Sequence, residues 1–275
     1  MTFNNIVNGI DSLPPLSDAA NIVQSLYSSG VENIDVKRLI KVIESDAMLS
    51  ANILKTINAP FFGMRNKITS IPRAIPLIGA RRIQMLVVNY AIREHVKADP
   101  SIYGFNNLQF NEICHLQSAL LFQWYSKINL KDAQYLTSLA LMMESGKLIL
   151  AKEVIESDYV GEFRKYFNEC QNIQEFEKSL IGTTSYYLSA LLFQHWNLDE
   201  KYIRVLKALD SDNEDDLQIL FYANIIEIIR VSINVKDILS DTAISNASIL
   251  VKELGMDDEI FITVANEIKE NYLKL

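Results

Sequence analysis

Residues 43–83 read IESDAMLSANILKTINAPFFGMRNKITSIPRAIPLIGARRI, and this stretch decides the fold. Apolar residues recur at every fourth position from Leu49 to Ile57, which is the spacing of one face of an α-helix. Asp46 stands where a side chain can accept from the first free N–H groups of that helix. Pro60 disfavours helical geometry in the residue before it, so the helix is expected to end at Asn58–Ala59. The stretch therefore opens with a capped helix that leads into a polar loop.

The second half of the stretch predicts a short helix and then a long one. Ser70 is placed to cap the short helix, which has Pro72 in its first turn, and Gly79 is expected to end it. Over residues 80–95 the apolar side chains cover a wide face, which is typical of a helix inside a bundle. Helical spacing continues through the rest of the chain, and glycine (9) and proline (6) are scarce. No alternating apolar pattern longer than four residues is present, so the sequence predicts an all-α protein.

The composition is that of a globular protein without a membrane anchor. The 275 residues are 49 % hydrophobic and 22 % charged, and no apolar run approaches the ~20 residues that a membrane-spanning helix needs. The N-terminus lacks the basic start and apolar core of a signal peptide. Cys114 and Cys170 match no metal-binding or redox spacing, and isolated thiols are typical of a reducing compartment. We expect a cytoplasmic protein with no membrane insertion and no cofactor.

Three segments together resemble the HDOD family of bacterial signalling domains. They are LPPLSDAANIVQSL (13–26), IESDAMLSANILKTINAPFFG (43–63) and ITSIPRAIPLIGARRIQMLVV (68–88). The chain departs mildly from the family pattern, with Ala47 where proline is usual and Ala59–Pro60 where Ser-Ala is usual. The family resembles HD-type metal phosphohydrolases in fold and is generally non-catalytic. The resemblance therefore implies a multi-helix, HD-like bundle.

The resemblance also suggests three parts in the chain. Residues 1–12 are polar and indicate a loose N-terminal arm, residues 13–209 form the HDOD domain, and residues 210–275 form a helical C-terminal extension packed on the body. The boundary is the segment DSDNEDD (210–216), which has five acidic residues among its seven and is typical of a solvated loop. Within the domain, Gly146 is expected to break a helix over 132–155 or to allow close helix packing.

The same resemblance implies a degenerate metal site. An HD hydrolase uses a histidine, then a His-Asp pair followed by Gly-Lys, then a further aspartate, to hold metal ions that activate water. His115 matches the first histidine, but Met143 and Glu144 stand at the His-Asp pair, and Ser185 stands where some relatives keep a histidine. A thioether is a poor ligand for hard cations, and His115 with Glu144 falls short of the three protein ligands of a catalytic zinc site. We therefore expect no metal, no catalytic residues and no enzymatic activity.

Positive charge is concentrated between Ala47 and Lys97, although the net charge of the chain is −8. That segment holds eight basic residues and one acidic residue, a charge of +7, which leaves −15 for the rest. Arg82 and Arg93 are eleven positions apart, so on a straight helix they lie within about 20° of each other. The candidate interaction surface consists of Arg65, Lys67, Arg73, Arg81, Arg82, Arg93 and Lys97.

Three interpretations of these basic residues remain open. They can offset the acidic excess elsewhere in the molecule, meet an acidic or phosphorylated protein, or meet nucleic-acid phosphates. A pI near 5.0 argues against strong nucleic-acid binding. We expect a non-catalytic regulatory protein of signal transduction that acts through protein–protein interaction. The alternatives are a nucleic-acid-binding regulator that uses residues 47–97, and a residual phosphohydrolase or nucleotide-binding relic.

Overall fold

The computed structural model describes residues 2–27, 34–59, 66–211 and 213–273, and it consists of α-helices joined by short connections. Within these ranges there is no β-strand, and the extended pairing is confined to an isolated antiparallel bridge between Ile233 and Ile238. The prediction of an all-α fold is confirmed. No helix in the described ranges is both long enough and apolar enough to cross a membrane. Two features of the sequence prediction, at Pro60 and Arg65, lie outside these ranges.

The helices of the N-terminal half lead up to one long buried helix, α7. They are α1 (Phe3–Asp11), α2 (Asp18–Leu26), α3 (Val36–Glu44), α4 (Ala47–Ile57), α5 (Ile71–Ile78), α6 (Ala80–Val96), a 3₁₀ turn (Pro100–Tyr103) and α7 (Asn107–Tyr125).

Some of the helices of the C-terminal half pack directly on α7. The helices of this half are α8 (Leu130–Met142), α9 (Ser145–Glu156), α10 (Val160–Glu169), α11 (Ile173–Ile181), α12 (Ser185–His195), α13 (Glu200–Ala208), α14 (Leu217–Ser232), α15 (Asp241–Glu253) and α16 (Asp258–Leu273). α7 packs against α8, α14 and α16. Its Phe110, Leu120 and Trp124 are fully buried, so α7 forms the centre of the hydrophobic core.

The stretch 43–83 folds largely as its residues predict. Asp46 caps α4, because its Oδ1 accepts from the Leu49 N–H at 2.9 Å. Asn58 ends α4 and joins the two sides of the following loop. Its Nδ2 donates to the Ile68 carbonyl and its Oδ1 accepts from the Ile68 N–H, each at 2.7 Å. Gly79 ends α5 with φ of +86°, a conformation that glycine adopts without strain. Ser70 stands at the N-cap of α5, but its side chain makes no capping hydrogen bond.

The prediction of a loose arm over residues 1–12 is wrong, because this segment forms α1. Thr2 caps the helix by accepting from the Asn5 N–H, and Ile6 and Ile10 are buried at 1 % and 2 % exposure. α1 packs against α9 and α12. Three asparagines conceal the apolar stripe, because two isoleucines four positions apart are a weak signal in a short polar segment.

The acidic segment 210–216 connects α13 to α14 and is held at both ends. The Asp210 Oδ1 accepts from the Thr184 N–H at 2.8 Å. Asp216 caps α14 by accepting from the N–H of Gln218 at 2.9 Å. Beyond it, α16 reaches back to α7, and the Phe261 ring meets the Trp124 ring edge-on at 5.1 Å between centroids. The C-terminal helices therefore share the core of the rest of the chain.

Gly146 allows α9 to approach α12 closely. The helical conformation is interrupted at Met143–Glu144, between α8 and α9, and Gly146 follows within the first turn of α9. A Cβ atom at position 146 would lie 1.9 Å from the Ser185 carbonyl oxygen and 2.7 Å from the Ser189 nitrogen. Of the two alternatives expected for Gly146, close helix packing is the one that the structure shows, because the break precedes the glycine and the glycine serves the packing of α9 on α12.

Gly146→Ala is expected to lower the free energy of unfolding by about 3 kcal/mol, at the upper end for overpacking, because backbone atoms of α12 cannot give way easily. Gly9→Ala in the exposed part of α1 is the control, since nothing lies within 4 Å of its Cβ position. That change should stabilise the protein by about 0.5–1 kcal/mol. Urea unfolding followed by circular dichroism measures both, and equal stabilities would contradict the assigned role of Gly146.

Candidate functional site

The residues that the sequence analysis compared with an HD-type metal site lie around the break between α8 and α9. Met143 and Glu144 occupy the break and are both fully buried. The Met143 carbonyl accepts from the Ser189 Oγ at 2.7 Å, and the same Oγ accepts from the Gly146 N–H at 2.7 Å. These bonds fix the break against α12 and aim the Glu144 side chain into the interior.

Lys147, in the first turn of α9, lies between two buried carboxylates. Its Nζ is 2.9 Å from the Glu144 Oε2 and 3.4 Å from the Glu177 Oε1, and it donates to the Ser185 Oγ at 2.7 Å. The lysine side chain is 1 % exposed, and both carboxylates are 0 % exposed. The Tyr186 ring centroid lies 4.8 Å from Nζ and covers another side of the ammonium. The ammonium is therefore enclosed on several sides.

The remaining oxygens of the two carboxylates also have partners. The Glu144 Oε1 accepts from the Gln117 Nε2 at 2.9 Å and from the Tyr186 hydroxyl at 3.2 Å. The Glu177 Oε2 accepts from the backbone N–H of Ser185, the first residue of α12, at 2.7 Å. We call this group the Lys147 cluster; its members are Gln117, Glu144, Lys147, Glu177, Ser185 and Tyr186.

The C-terminal extension contributes to the Lys147 cluster through its backbone. The Gln117 Nε2 donates to the Ile233 carbonyl, which follows α14, at 2.9 Å. The Arg230 guanidinium lies 5.8 Å from the centroid of the Tyr186 ring. The extension therefore helps to orient the amide that holds Glu144.

The electrostatics of the cluster favour a permanently charged lysine. Burial lowers the pKa of Lys147, but Glu144 and Glu177 raise it by more, so the net shift of this pKa is upward. Burial, followed by the charge of Glu144, raises the pKa of Tyr186 well above its usual value. At neutral pH the lysine is a cation and the tyrosine is a neutral phenol that donates to Glu144.

The residues of the cluster do not fit a divalent metal. A protein ammonium already stands between the two carboxylates, and the thioether of Met143 and the hydroxyl of Ser185 take the places where histidine would be needed. In the described part of the chain, no three His, Cys, Asp or Glu side chains are grouped so that they could hold a metal ion. The donor set is that of a structural ion-pair network.

His115 faces a different part of the molecule from Glu144. It precedes Gln117 by two residues, about 200° around α7. His115 lines a cleft of about 910 Å³ between α4, α6 and α7, and Glu144 does not line this cleft. Burial and the charge of Arg93 lower the pKa of His115 to about 3, so its imidazole is neutral at physiological pH.

Sequence reasoning missed four of the six members of the Lys147 cluster, which are Gln117, Lys147, Glu177 and Tyr186. Gln117 takes the position against Glu144 that had been assigned to His115, and no pattern in the sequence marks it. Lys147 was noted only as part of a Gly-Lys step, although a lysine beside a buried glutamate is a signal for an internal ion pair. Glu177 lies in an ordinary amphipathic helix, and only the folded structure shows that it is buried.

The predicted basic residues divide into two groups. Arg81, Arg82 and Arg93 are half-buried on α6, and their guanidinium carbons lie over the rings of Tyr135, Phe122 and Phe110 at 5.1, 4.1 and 5.5 Å. Phe122 and Phe110 both belong to α7, which agrees with the predicted alignment of Arg82 and Arg93. The other described members of the candidate surface are exposed: Lys67, Arg73 and Lys97. Arg65 lies outside the described residues.

Lys147→Met is expected to lower the free energy of unfolding by about 3–5 kcal/mol at pH 7, because it leaves two buried carboxylates without a counter-ion. Lys152→Met is the control on the same helix, since its surface contact with Glu156 is 4.0 Å long; it should change stability by less than about 0.5 kcal/mol. Equal effects of both substitutions would contradict the cluster.

The wild-type protein is expected to lose stability on acidification because of His115. Its pKa is about 3 when folded and 6.5 as the ordinary value. Between these values the unfolded chain binds a proton that the folded chain excludes, so stability falls as the pH drops below about 6.5. From pH 7.5 to pH 5 the wild type should lose roughly 2 kcal/mol more than His115→Gln. Urea titrations at both pH values measure this difference, and parallel losses would show that His115 is protonated in the folded state.

Comparison with known proteins places the chain in a family. The HDOD domain profile matches residues 13–211. Similar solved structures include a virulence factor from Campylobacter jejuni subsp. jejuni, with 23 % identity over 98 % of this chain and 96 % of that chain and a TM-score of 0.59. A protein from Shewanella amazonensis SB2B, named as a candidate phosphohydrolase, has 19 % identity over 96 % and 93 % of the two chains and a TM-score of 0.68.

A third similar structure, from Marinobacter aquaeolei VT8, is named as a candidate signal transduction protein; it has 19 % identity over 94 % of this chain and 57 % of that chain, and a TM-score of 0.66. Among curated proteins, none matches this chain significantly. At these identities the solved structures show a shared fold. The domain profile covers most of the sequence, and the resemblance seen in residues 13–88 is therefore confirmed: the chain belongs to the HDOD domain family.

Proposed function

We propose that this chain is a non-catalytic regulatory protein of signal transduction, which acts in the cytoplasm by binding another protein. The observation that carries the first half of this proposal is the Lys147 cluster. Hydrolysis at an HD-type site requires a metal ion with an open position for water. Here a buried ammonium holds the two carboxylates, and an ammonium cannot lower the pKa of a bound water as a metal does. The Shewanella protein that is named as a candidate phosphohydrolase has 19 % identity to this chain, so its name does not assign hydrolysis to this chain.

The exposed face of α5 is the best candidate for the partner surface. Arg73 and Leu77 are four positions apart, so they lie next to each other on one side of the helix. Leu77 is 63 % exposed, and Lys67 in the preceding loop is exposed as well. Neither Lys67 nor Arg73 forms a salt bridge with another described residue. Free cations beside an exposed apolar side chain are typical of a surface that a protein partner covers.

Nucleic acid is the second candidate partner, because the segment between Ala47 and Lys97 carries a charge of +7. The positions of its arginines favour a protein instead. Arg81, Arg82 and Arg93 lie against aromatic rings and do not form an open stripe that could follow a phosphate backbone. Substitution of Arg81 or Arg82 would also disturb packing, so α5 is the place to test binding.

Lys67→Glu/Arg73→Glu is expected to weaken capture of a protein partner from native lysate at least tenfold, because both cations become anions on the proposed surface. Lys127→Glu/Lys131→Glu is the charge-matched control, since both lysines are exposed near the start of α8; it should capture the partner as the wild type does. Quantitative mass spectrometry of nuclease-treated lysate gives the measurement, and the identified protein is then titrated in purified form.

Two outcomes would count against the proposal. Equal capture by both double variants would remove α5 from the interface, and capture that disappears on nuclease treatment would favour the nucleic-acid alternative.

Hydrolysis of a phosphodiester by the purified wild type that is abolished by Glu144→Gln would overturn the non-catalytic assignment itself.

A further inference from the structure

The cleft beside His115 is a concave feature that neither the Lys147 cluster nor the α5 surface uses. It lies between α4, α6 and α7, and Tyr272 near the end of α16 also lines it. Its volume is about 910 Å³. Clefts that bind small organic molecules commonly have volumes of about 300–1,000 Å³. The cleft therefore has the size of a small-molecule site.

Three cations line the cleft: Lys55 and Lys97 are exposed, and Arg93 is half-buried. Its guanidinium lies 5.5 Å from the Phe110 ring centroid and donates to the Cys114 Sγ at 3.9 Å. It forms no salt bridge with any described residue. Since a guanidinium has five N–H donors, a thiol and a ring face leave most of its capacity for an anion unused.

The groups deepest in the cleft around Arg93 are polar but uncharged. Asn89 is 7 % exposed and His115 is 4 % exposed. The Asn111 Oδ1 is buried and has no hydrogen-bond partner among the described residues. The acidic residues that line the cleft are exposed; they are Glu94, Asp99 and Glu112. No buried carboxylate therefore competes with a ligand for Arg93 in this cleft.

Apolar side chains complete the wall of the cleft. Ile53 of α4, Leu86 of α6 and Leu116 of α7 are 2 %, 6 % and 1 % exposed, and all three line it. A ligand that fits would therefore present an acidic group to Arg93 and an apolar body to these three side chains, with polar substituents toward the asparagines and the histidine.

We propose that this cleft binds a small organic anion with an apolar body, and that Arg93 receives its acidic group. This binding site goes beyond the proposed protein interaction and would give the regulatory protein a chemical input. One cation is recessed, and the two exposed lysines are outnumbered by three exposed acidic residues in the same lining. The cleft therefore suits a small molecule with one acidic group better than a macromolecule with repeated negative charges.

The test uses the full chain and the fluorescent probe 1-anilinonaphthalene-8-sulfonate, which joins one acidic group to an aromatic body. The wild type is expected to bind it with a stoichiometry of one at the cleft. Arg93→Gln should weaken binding at least tenfold, whereas Arg93→Lys should keep the affinity within about threefold, because the charge is retained. The uncharged analogue N-phenyl-1-naphthylamine should bind the wild type and Arg93→Gln equally.

Arg73→Gln is the matched control, because it removes the same charge from an exposed position outside the cleft. It should leave probe binding unchanged. The proposal is overturned if Arg93→Gln binds the sulfonate as the wild type does, or if Arg73→Gln weakens binding as strongly. Circular dichroism spectra and melting curves of each variant show that the comparison is made between folded proteins.

Displacement of the probe identifies the acidic group. Octanoate supplies a carboxylate on an apolar chain, and adenosine 5′-monophosphate supplies a phosphate on an aromatic body. Displacement by either compound at millimolar concentration, lost in Arg93→Gln, supports the proposal and names the class of anion. Displacement by neither would overturn it. These outcomes are independent of protein capture on α5, so failure of one proposal is distinguishable from failure of the other.

Discussion

The ion pair between Lys147 and two buried glutamates is the constraint on which the rest of the structure depends. Removing three ionised groups from water costs several kcal/mol for each group unless every lone pair and proton finds a partner. Here the partners come from distant parts of the chain: Glu144 precedes α9, Glu177 belongs to α11, and the Gln117 amide belongs to α7. The helices that carry these groups must therefore occupy fixed positions. A small displacement of any one helix would leave a buried charge without its partner, so that the cost of desolvating that charge is no longer offset.

The geometry around Gly146 shows how closely this requirement is met. α9 approaches α12 until the space for a side chain at position 146 is gone, and this approach brings the Lys147 ammonium to the Ser185 hydroxyl at 2.7 Å. The backbone N–H of the same Ser185 donates to Glu177. One residue at the start of α12 thus contacts both the cation and an anion, so the backbone packing and the charge network cannot be separated.

Local features of the sequence could be predicted because their causes are local. The long helix predicted over residues 80–95 forms as α6, and Asp46 caps α4, since capping depends on residues three positions apart. The site could be predicted only in part. That Met143 cannot replace a histidine ligand follows from the chemistry of a thioether. The side chains that complete the cluster, however, come from positions 27 and 42 residues away from Glu144 along the chain. Nothing in the local sequence around Gln117 or Tyr186 encodes that meeting.

The closed charge network of the Lys147 cluster and the open cleft at Arg93 lie on two sides of α7. Around Glu144 the carboxylates are bound by protein donors, so that region can stabilise the fold but offers nothing to a ligand. Around Arg93 the reverse holds, because a cation lies recessed among neutral polar groups and lacks a carboxylate partner among the described residues. Both regions contact α7, on opposite sides, with Gln117 facing one and His115 facing the other. An anion held at Arg93 would thus touch the same helix that orients the amide of Gln117. A shift of α7 would then alter the bond to Glu144, which gives ligand binding a physical path to the stability of the whole bundle.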